Sequence, residues 1–189
     1  MRGTPTAAPR PLLFLDVDGP LIPFGGTGAY PVHEAPGAVG GSALADGGHP
    51  LLSRVDPALG PRLAALPCAL VWATTWGEDA NLALGPRLGL PELAVVDWPE
   101  PGAEDGRGGT HWKTPGLVGR AAGRAFVWVD DEITCADRLY VRAHHPGPAL
   151  LYRVDARVGL GEADFAVLEG WLRDHGPTPS AGPGQRGGR

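Results

Sequence analysis

The sequence predicts an α/β fold: a doubly wound, three-layer parallel sheet of five core strands, Rossmann-like in plan. Three observations predict it. Five short apolar runs, at 12–16, 68–76, 93–96, 125–129 and 149–154, are too short for helices and too continuous for strands with one wet face. Segments with helical spacing lie between most of them, and strand alternating with helix gives a parallel sheet with right-handed crossovers and helices on both faces. Three of the runs end in carboxylates or hydroxyls, and the carboxyl ends of strands are where such sheets bind ligands.

Each element follows from its residues. Residues 1–11 are Pro-rich and read as a flexible arm. The first strand runs into Asp16-Val17-Asp18-Gly19-Pro20. Unpaired acids are costly beside a core, so this ending asks for a reason other than stability, with a solvated Asp-x-Asp-Gly turn as the plain alternative. Residues 19–50 are dense in Gly and Pro and cannot hold a long helix. Leaving directly from the acid pair, they read as a flap beside it, with room for a small hairpin. A helix is expected over 50–66, started at Ser53 or at Asp56-Pro57, with Leu59, Leu63 and Leu66 on one face.

The second strand ends in Thr74-Thr75-Trp76, and a helix over 78–88 is stopped by Gly89. A short third strand at 93–96 leads into a polar loop over 97–112, Gly-rich at 106–109. Lys113-Thr114-Pro115 then opens a helix to about Gly123, with Thr114 as N-cap and Pro115 in the first turn. The fourth strand ends in Asp130-Asp131-Glu132. Residues 133–144 are helical in pattern, 149–154 form the fifth strand, and 161–175 make an amphipathic helix with Phe165, Leu168, Trp171 and Leu172 inward. From 176 the chain is Gly, Pro and Arg and reads as a disordered tail, which leaves a single domain over 12–175.

Composition narrows the function classes. A chain of 189 residues suits one well-cored domain and is short for two. The net charge of −5 is not gathered into one block, and no basic footprint argues for strong non-specific DNA binding or an anionic membrane surface. The apolar Leu12–Leu15 run is cut by Asp16, so neither a signal peptide nor a membrane span is expected. Cys68 and Cys135 both lie in apolar surroundings and read as two buried thiols of a reduced, cytoplasmic setting.

The polar strand ends matter together. Singly, a Thr at a strand end is a turn or cap residue, a lone Lys is a solvated charge, and Asp-Asp after a strand is an N-cap pair. In a doubly wound sheet, however, Asp16/Asp18, Thr74/Thr75, Lys113 and Asp130/Asp131 all converge on one crevice. With these residues in this order, the chain over roughly 12–154 resembles the haloacid dehalogenase (HAD) superfamily of phosphohydrolases. Leu-Phe-Leu-Asp16-Val-Asp18-Gly-Pro-Leu is similar to its first motif, Val-Trp-Ala-Thr74-Thr75 to the second, Lys113 to the third and Val-Trp-Val-Asp130-Asp131 to the acidic fourth. Within the superfamily, Val-Trp-Ala-Thr-Thr-Trp-Gly-Glu-Asp-Ala-Asn resembles small bacterial modules related to RNA-repair phosphatases.

The resemblance implies a Mg²⁺-dependent phosphatase. It implies Asp16 as a nucleophile that forms an aspartyl-phosphate, and Asp18 as the acid that protonates the leaving oxygen and then activates water. Asp16, the Asp18 carbonyl and an acid of the fourth motif would hold the metal: Asp131 is favoured, with Asp130 orienting Lys113 or a metal-bound water and Glu132 as a third candidate whose plain role is an exposed helix start. Thr74 or Thr75 would donate to a phosphoryl oxygen, and Lys113 would offset charge in the transition state. Gly19 and Trp76 lie at the same strand ends and are expected beside substrate.

Other aromatic and basic residues are less specific. Trp72 and Trp128 read as core. Trp76, Trp98 and Trp112 could stack on a base or sugar, or pack under loops. His33, His49 and His111 read as polar loop residues, and Arg107 and Arg120 as surface charge or phosphate clamps. In this superfamily large caps are inserted after the first motif or between the second and third. Neither gap has room for one here, so a capless, open site is expected, suited to a phosphorylated small molecule closed in by a partner subunit, a phosphoprotein or a nucleic-acid end. The alternative is a catalytically silent HAD-like module that binds a phosphorylated ligand. A phospho-receiver is disfavoured because its acceptor Asp ends a middle strand ahead of Thr and Lys, whereas here the second acid pair follows Lys113.

Overall fold

The computed structural model describes residues 9–34, 50–98 and 109–176. The expected arm up to residue 8, the flap over 35–49 with His49, the loop over 99–108 with Arg107, and the tail from 177 lie outside them.

The architecture is α/β, with a single five-stranded, all-parallel sheet of order β3-β2-β1-β4-β5. The strands are β1 (Leu12–Leu15), β2 (Ala69–Trp72), β3 (Ala94–Val95), β4 (Phe126–Asp130) and β5 (Ala149–Arg153). Every residue of β1 and β4 is buried, as the continuous apolar runs require of central strands covered on both faces.

Period-two alternation sends side chains to two cores. Leu13 and Leu15 join Trp72, Val127 and Val129 in one cluster, with Leu63 of α1 (Leu59–Ala65), Ala80 of α2 (Asp79–Ala83), Leu88 of α3 (Gly85–Leu88) and Phe165, Leu168 and Leu172 of α6 (Glu162–His175). Leu12 and Phe14 join Val71, Phe126 and Trp128 in the other, under Leu117 and Ala121 of α4 (Lys113–Ala121) and Val141 of α5 (Cys135–His144). The crossover helices change face where the winding changes direction, between β1 and β4. Such a switch point is where a doubly wound sheet opens a crevice.

Several local expectations are corrected. The helix expected over 50–66 is a 3-10 turn at Pro50–Arg54 and then α1. A proline disfavours helical backbone at the residue before it, here Asp56, and Asp56 Oδ1 accepts from the Ala58 amide (2.9 Å) just ahead of α1. The helix expected over 78–88 is split into α2 and α3, because Pro86 has no amide hydrogen to continue the ladder. Gly60 lets α1 close on α3: a Cβ there would lie 1.7 Å from the Leu88 carbonyl oxygen. Thr114 is not the cap of α4 but its second residue, and Trp112 holds the cap position without a side-chain bond. Cys135 is exposed at the start of α5, whereas Cys68 is buried and its thiol is pushed up to about 12. Trp171 is only half buried, stacked on His175 at 4.1 Å.

Residues 19–34 hold no hairpin. Gly19, Leu21 and Ile22 fold back through amide bonds to Ile22 and Val17, and Phe24 is tied to Ala156. No described helix is long and apolar enough to cross a membrane.

Candidate active site

Register fixes the level at which the polar residues emerge. Leu15 of β1 lies opposite Trp72 of β2 and Val129 of β4, so Asp16 leaves β1 beside Ala73-Thr74 on one flank and Asp130 on the other. The Asp16 amide still donates to the Val129 carbonyl (3.0 Å), which holds its backbone to β4 after the strand ends.

Asp16, Asp130 and Lys113 form a buried charge cluster. Lys113 Nζ stands 3.0 Å from Asp16 Oδ1 and 2.9 Å from Asp130 Oδ2. Asp130 is fully buried and has three donors: besides Lys113, Oδ2 accepts from Trp128 Nε1 (3.2 Å), and Oδ1 accepts from the Glu132 amide (2.9 Å). Of the two roles weighed for Asp130, orienting Lys113 is the one its contacts match. Asp131 is half buried, and its carboxylate packs over Gly19, where a Cβ would approach Oδ1 to 2.6 Å. Only glycine leaves room for that, and only glycine takes φ of +86° there without strain. Asp16, Asp130 and Asp131 each present a carboxylate oxygen within 4.8 Å of the others.

Burial drives the electrostatics. The Asp16 carboxyl is pushed up to about 7 by loss of solvent, with Lys113 opposing and Asp130 reinforcing the rise. Asp131 is raised by burial and by Asp130, and Lys113 is raised because its two carboxylates outweigh its burial. The carboxyls of Asp16, Asp130 and Asp131 crowd one another around the Lys113 ammonium, a repulsion that a divalent cation would relieve. Asp130 Oδ2 is taken by Lys113 and Trp128, so within this group Asp16 and Asp131 are the less heavily engaged donors for a cation.

The other flank is neutral. Thr74 is fully buried, and its Oγ1 accepts from the Trp76 amide (3.3 Å), which leaves the hydroxyl proton for another acceptor. Thr75 is exposed. The Trp76 indole N–H donates to Asp18 Oδ2 (3.0 Å), so this ring orients an acid. Trp98 donates to the Thr74 carbonyl (3.0 Å) and meets Trp112 edge-on at 4.8 Å. Trp72 and Trp128 are fully buried, as core tryptophans should be. Arg120 is exposed in the last turn of α4, and His33 lies at the far end of the 19–34 segment, near Asp56.

Sequence reading missed Asp137. This fully buried carboxylate accepts from the His111 amide (2.6 Å), Thr114 Oγ1 (2.5 Å), and the Thr134 amide (2.8 Å) and Oγ1 (2.7 Å). It caps α5 and clamps the residues on either side of Lys113. Thr134-x-x-Asp137 is a legible capping box; its reach to Thr114 is not legible. His111 adds a further tie: Nδ1 accepts from the Lys113 amide (3.1 Å), which places the ring proton on Nε2 facing Glu132 (3.0 Å).

Comparison with family models, with curated proteins and with solved structures finds no significant match to this chain.

Proposed function

We propose that the chain is a Mg²⁺-dependent phosphohydrolase that cleaves a phosphomonoester through an aspartyl-phosphate on Asp16. The observation that carries this reading is the Lys113 ammonium held between Asp16 and Asp130, with Asp131 alongside, at the carboxyl ends of β1 and β4. A phosphomonoester dianion repels nucleophiles, so catalysis needs a positioned carboxylate together with offsetting positive charge.

Asp16 attacks phosphorus, forming an Asp16–phosphoryl bond as the bond to the leaving oxygen breaks, and Asp18 gives that oxygen a proton. Asp18 then takes a proton from water as the water attacks phosphorus and frees Asp16. Trp76 holds the Asp18 carboxylate in place for both steps. Lys113 balances the charge on Asp16 and on the phosphoryl oxygens, and Asp130 keeps it there. Thr74 donates its hydroxyl proton to a phosphoryl oxygen. Asp16, Asp131 and the Asp18 carbonyl would hold Mg²⁺, which supplies charge neutralisation at the phosphoryl group.

The test is hydrolysis of p-nitrophenyl phosphate by the purified protein. Turnover is expected with Mg²⁺, and its loss with excess EDTA and in Asp16→Asn at unchanged circular dichroism. Full activity under either condition overturns the reading, and tight binding of phosphorylated ligands without any turnover would establish a silent module instead.

A further inference from the structure

On the far side of Asp131 lies a cavity of about 500 Å³, lined by Phe24, Asp131, Arg153, Asp155 and Arg157 among others. It shares a wall with the acid cluster, because Asp131 both lines it and packs over Gly19. Its volume falls in the range of small-ligand sites, about 300–1,000 Å³.

The two arginines in its wall are in different states. Arg157 is satisfied internally: Nε and Nη2 donate to Asp155 at 3.0 and 2.8 Å. Arg153, the last residue of β5, donates through Nε to the Asp131 carbonyl (2.7 Å), which sets its guanidinium beside the acid cluster. Among the described residues no carboxylate forms an ion pair with Arg153. Phe24 stands at the rim, 42% exposed and anchored by its amide on the Ala156 carbonyl (2.8 Å). Beside Asp131 the cavity thus offers one guanidinium that makes no close side-chain ion pair among the described residues, though it shares its charge with Asp155 across the same wall, and one aromatic face.

We propose that this cavity takes the leaving group of the substrate, and that the leaving group carries a second oxyanion, phosphate or carboxylate, bound by Arg153 while Phe24 covers the carbon skeleton. A guanidinium fork matches either oxyanion. This specificity rests on the phosphohydrolase reading.

The experiment compares kcat/KM within two matched pairs: fructose 6-phosphate against fructose 1,6-bisphosphate, and glycerol phosphate against phosphoglycerate. The doubly anionic member of at least one pair is expected to be preferred by about tenfold or more, the scale of one charge-assisted hydrogen bond; which pair responds tells phosphate from carboxylate. In Arg153→Ala that ratio should fall to near one, in Arg153→Lys it should be partly kept, and in Phe24→Ala both members should lose through KM. The ratio is internally normalised, so a general loss of activity leaves it readable. If p-nitrophenyl phosphate is turned over but neither pair shows a preference, whether by equal turnover or by none, the specificity is wrong and the phosphatase reading stands. A preference that survives Arg153→Ala overturns the assignment to this cavity. Absence of any Mg²⁺-dependent hydrolysis removes both.

Discussion

The two flanks of the crevice are built to different standards. On the β2–β3 side the connecting helices are short, with seven, five and four residues in α1, α2 and α3. That side presents a hydroxyl and an indole, both neutral, tied by Trp76 to Asp18 and to Thr74 Oγ1 and by Trp98 to the Thr74 carbonyl. On the β4–β5 side α4 and α5 have nine and ten residues and are fastened together by Asp137. That side carries the buried Lys113, Asp130 and Asp137, and each is met by several partners: Lys113 by two carboxylates, Asp130 by three donors and Asp137 by four. The difference follows from desolvation. A buried charge with a missing partner costs several kcal/mol, whereas a neutral hydroxyl or indole tolerates a looser frame.

The largest expected effect breaks the charged flank directly. Lys113→Met leaves Asp16 and Asp130 facing each other without the ammonium. Urea unfolding should show a loss of about 3 kcal/mol or more, the scale of removing one partner of a buried pair. Turnover of p-nitrophenyl phosphate should fall by at least about 100-fold. A variant as stable as the parent would mean that the cluster is not under electrostatic strain.

A paired measurement sharpens the contrast. Asp137→Asn keeps the shape but turns an amide toward donors, and about 2 kcal/mol of stability should be lost together with much of the activity. Trp76→Phe removes one hydrogen bond to a partly solvated acid, and about 1 kcal/mol is expected, with the effect on turnover appearing in kcat through Asp18. Equal losses would erase the distinction between the flanks.

The smallest effect concerns pH. His145 is buried against Phe126, and its Nε2 faces the Arg124 carbonyl at 3.1 Å. Burial lowers its proton affinity below the ordinary value of 6.5. The unfolded chain therefore binds this proton more readily, so the stability is whole above about pH 6.5 and declines as pH falls below it. His145→Gln should flatten that decline, seen as a smaller drop in urea midpoint between pH 7 and pH 5.

The strands and the acid pairs were legible because they depend on local pattern. An apolar run of strand length needs burial on both faces wherever it ends up, and the Asp16/Asp18 and Asp130/Asp131 endings sit at the carboxyl ends of β1 and β4 as the alternation required. The helices were less legible. Periodicity carried the expected helices across Asp56-Pro57 and Pro86, where a restricted backbone or a missing amide hydrogen breaks the ladder. Thr114 was misplaced for another reason: its sequence suits a cap, but a carboxylate 23 residues away competes for its hydroxyl. Trp76, read as a surface for substrate, donates to an acid 58 residues away.

By itself the sequence determined the α/β class, the order of strands along the chain and the residue types offered at their ends, since hydrophobic period and turn chemistry act over a few residues. Tertiary structure decided between the two roles left open for Asp130 by bringing it to Lys113, and it alone decided that Asp131 closes over Gly19 and that Asp137 ties the two helices beside them. Those outcomes depend on register and on which buried group reaches a given donor first, and no local pattern encodes either.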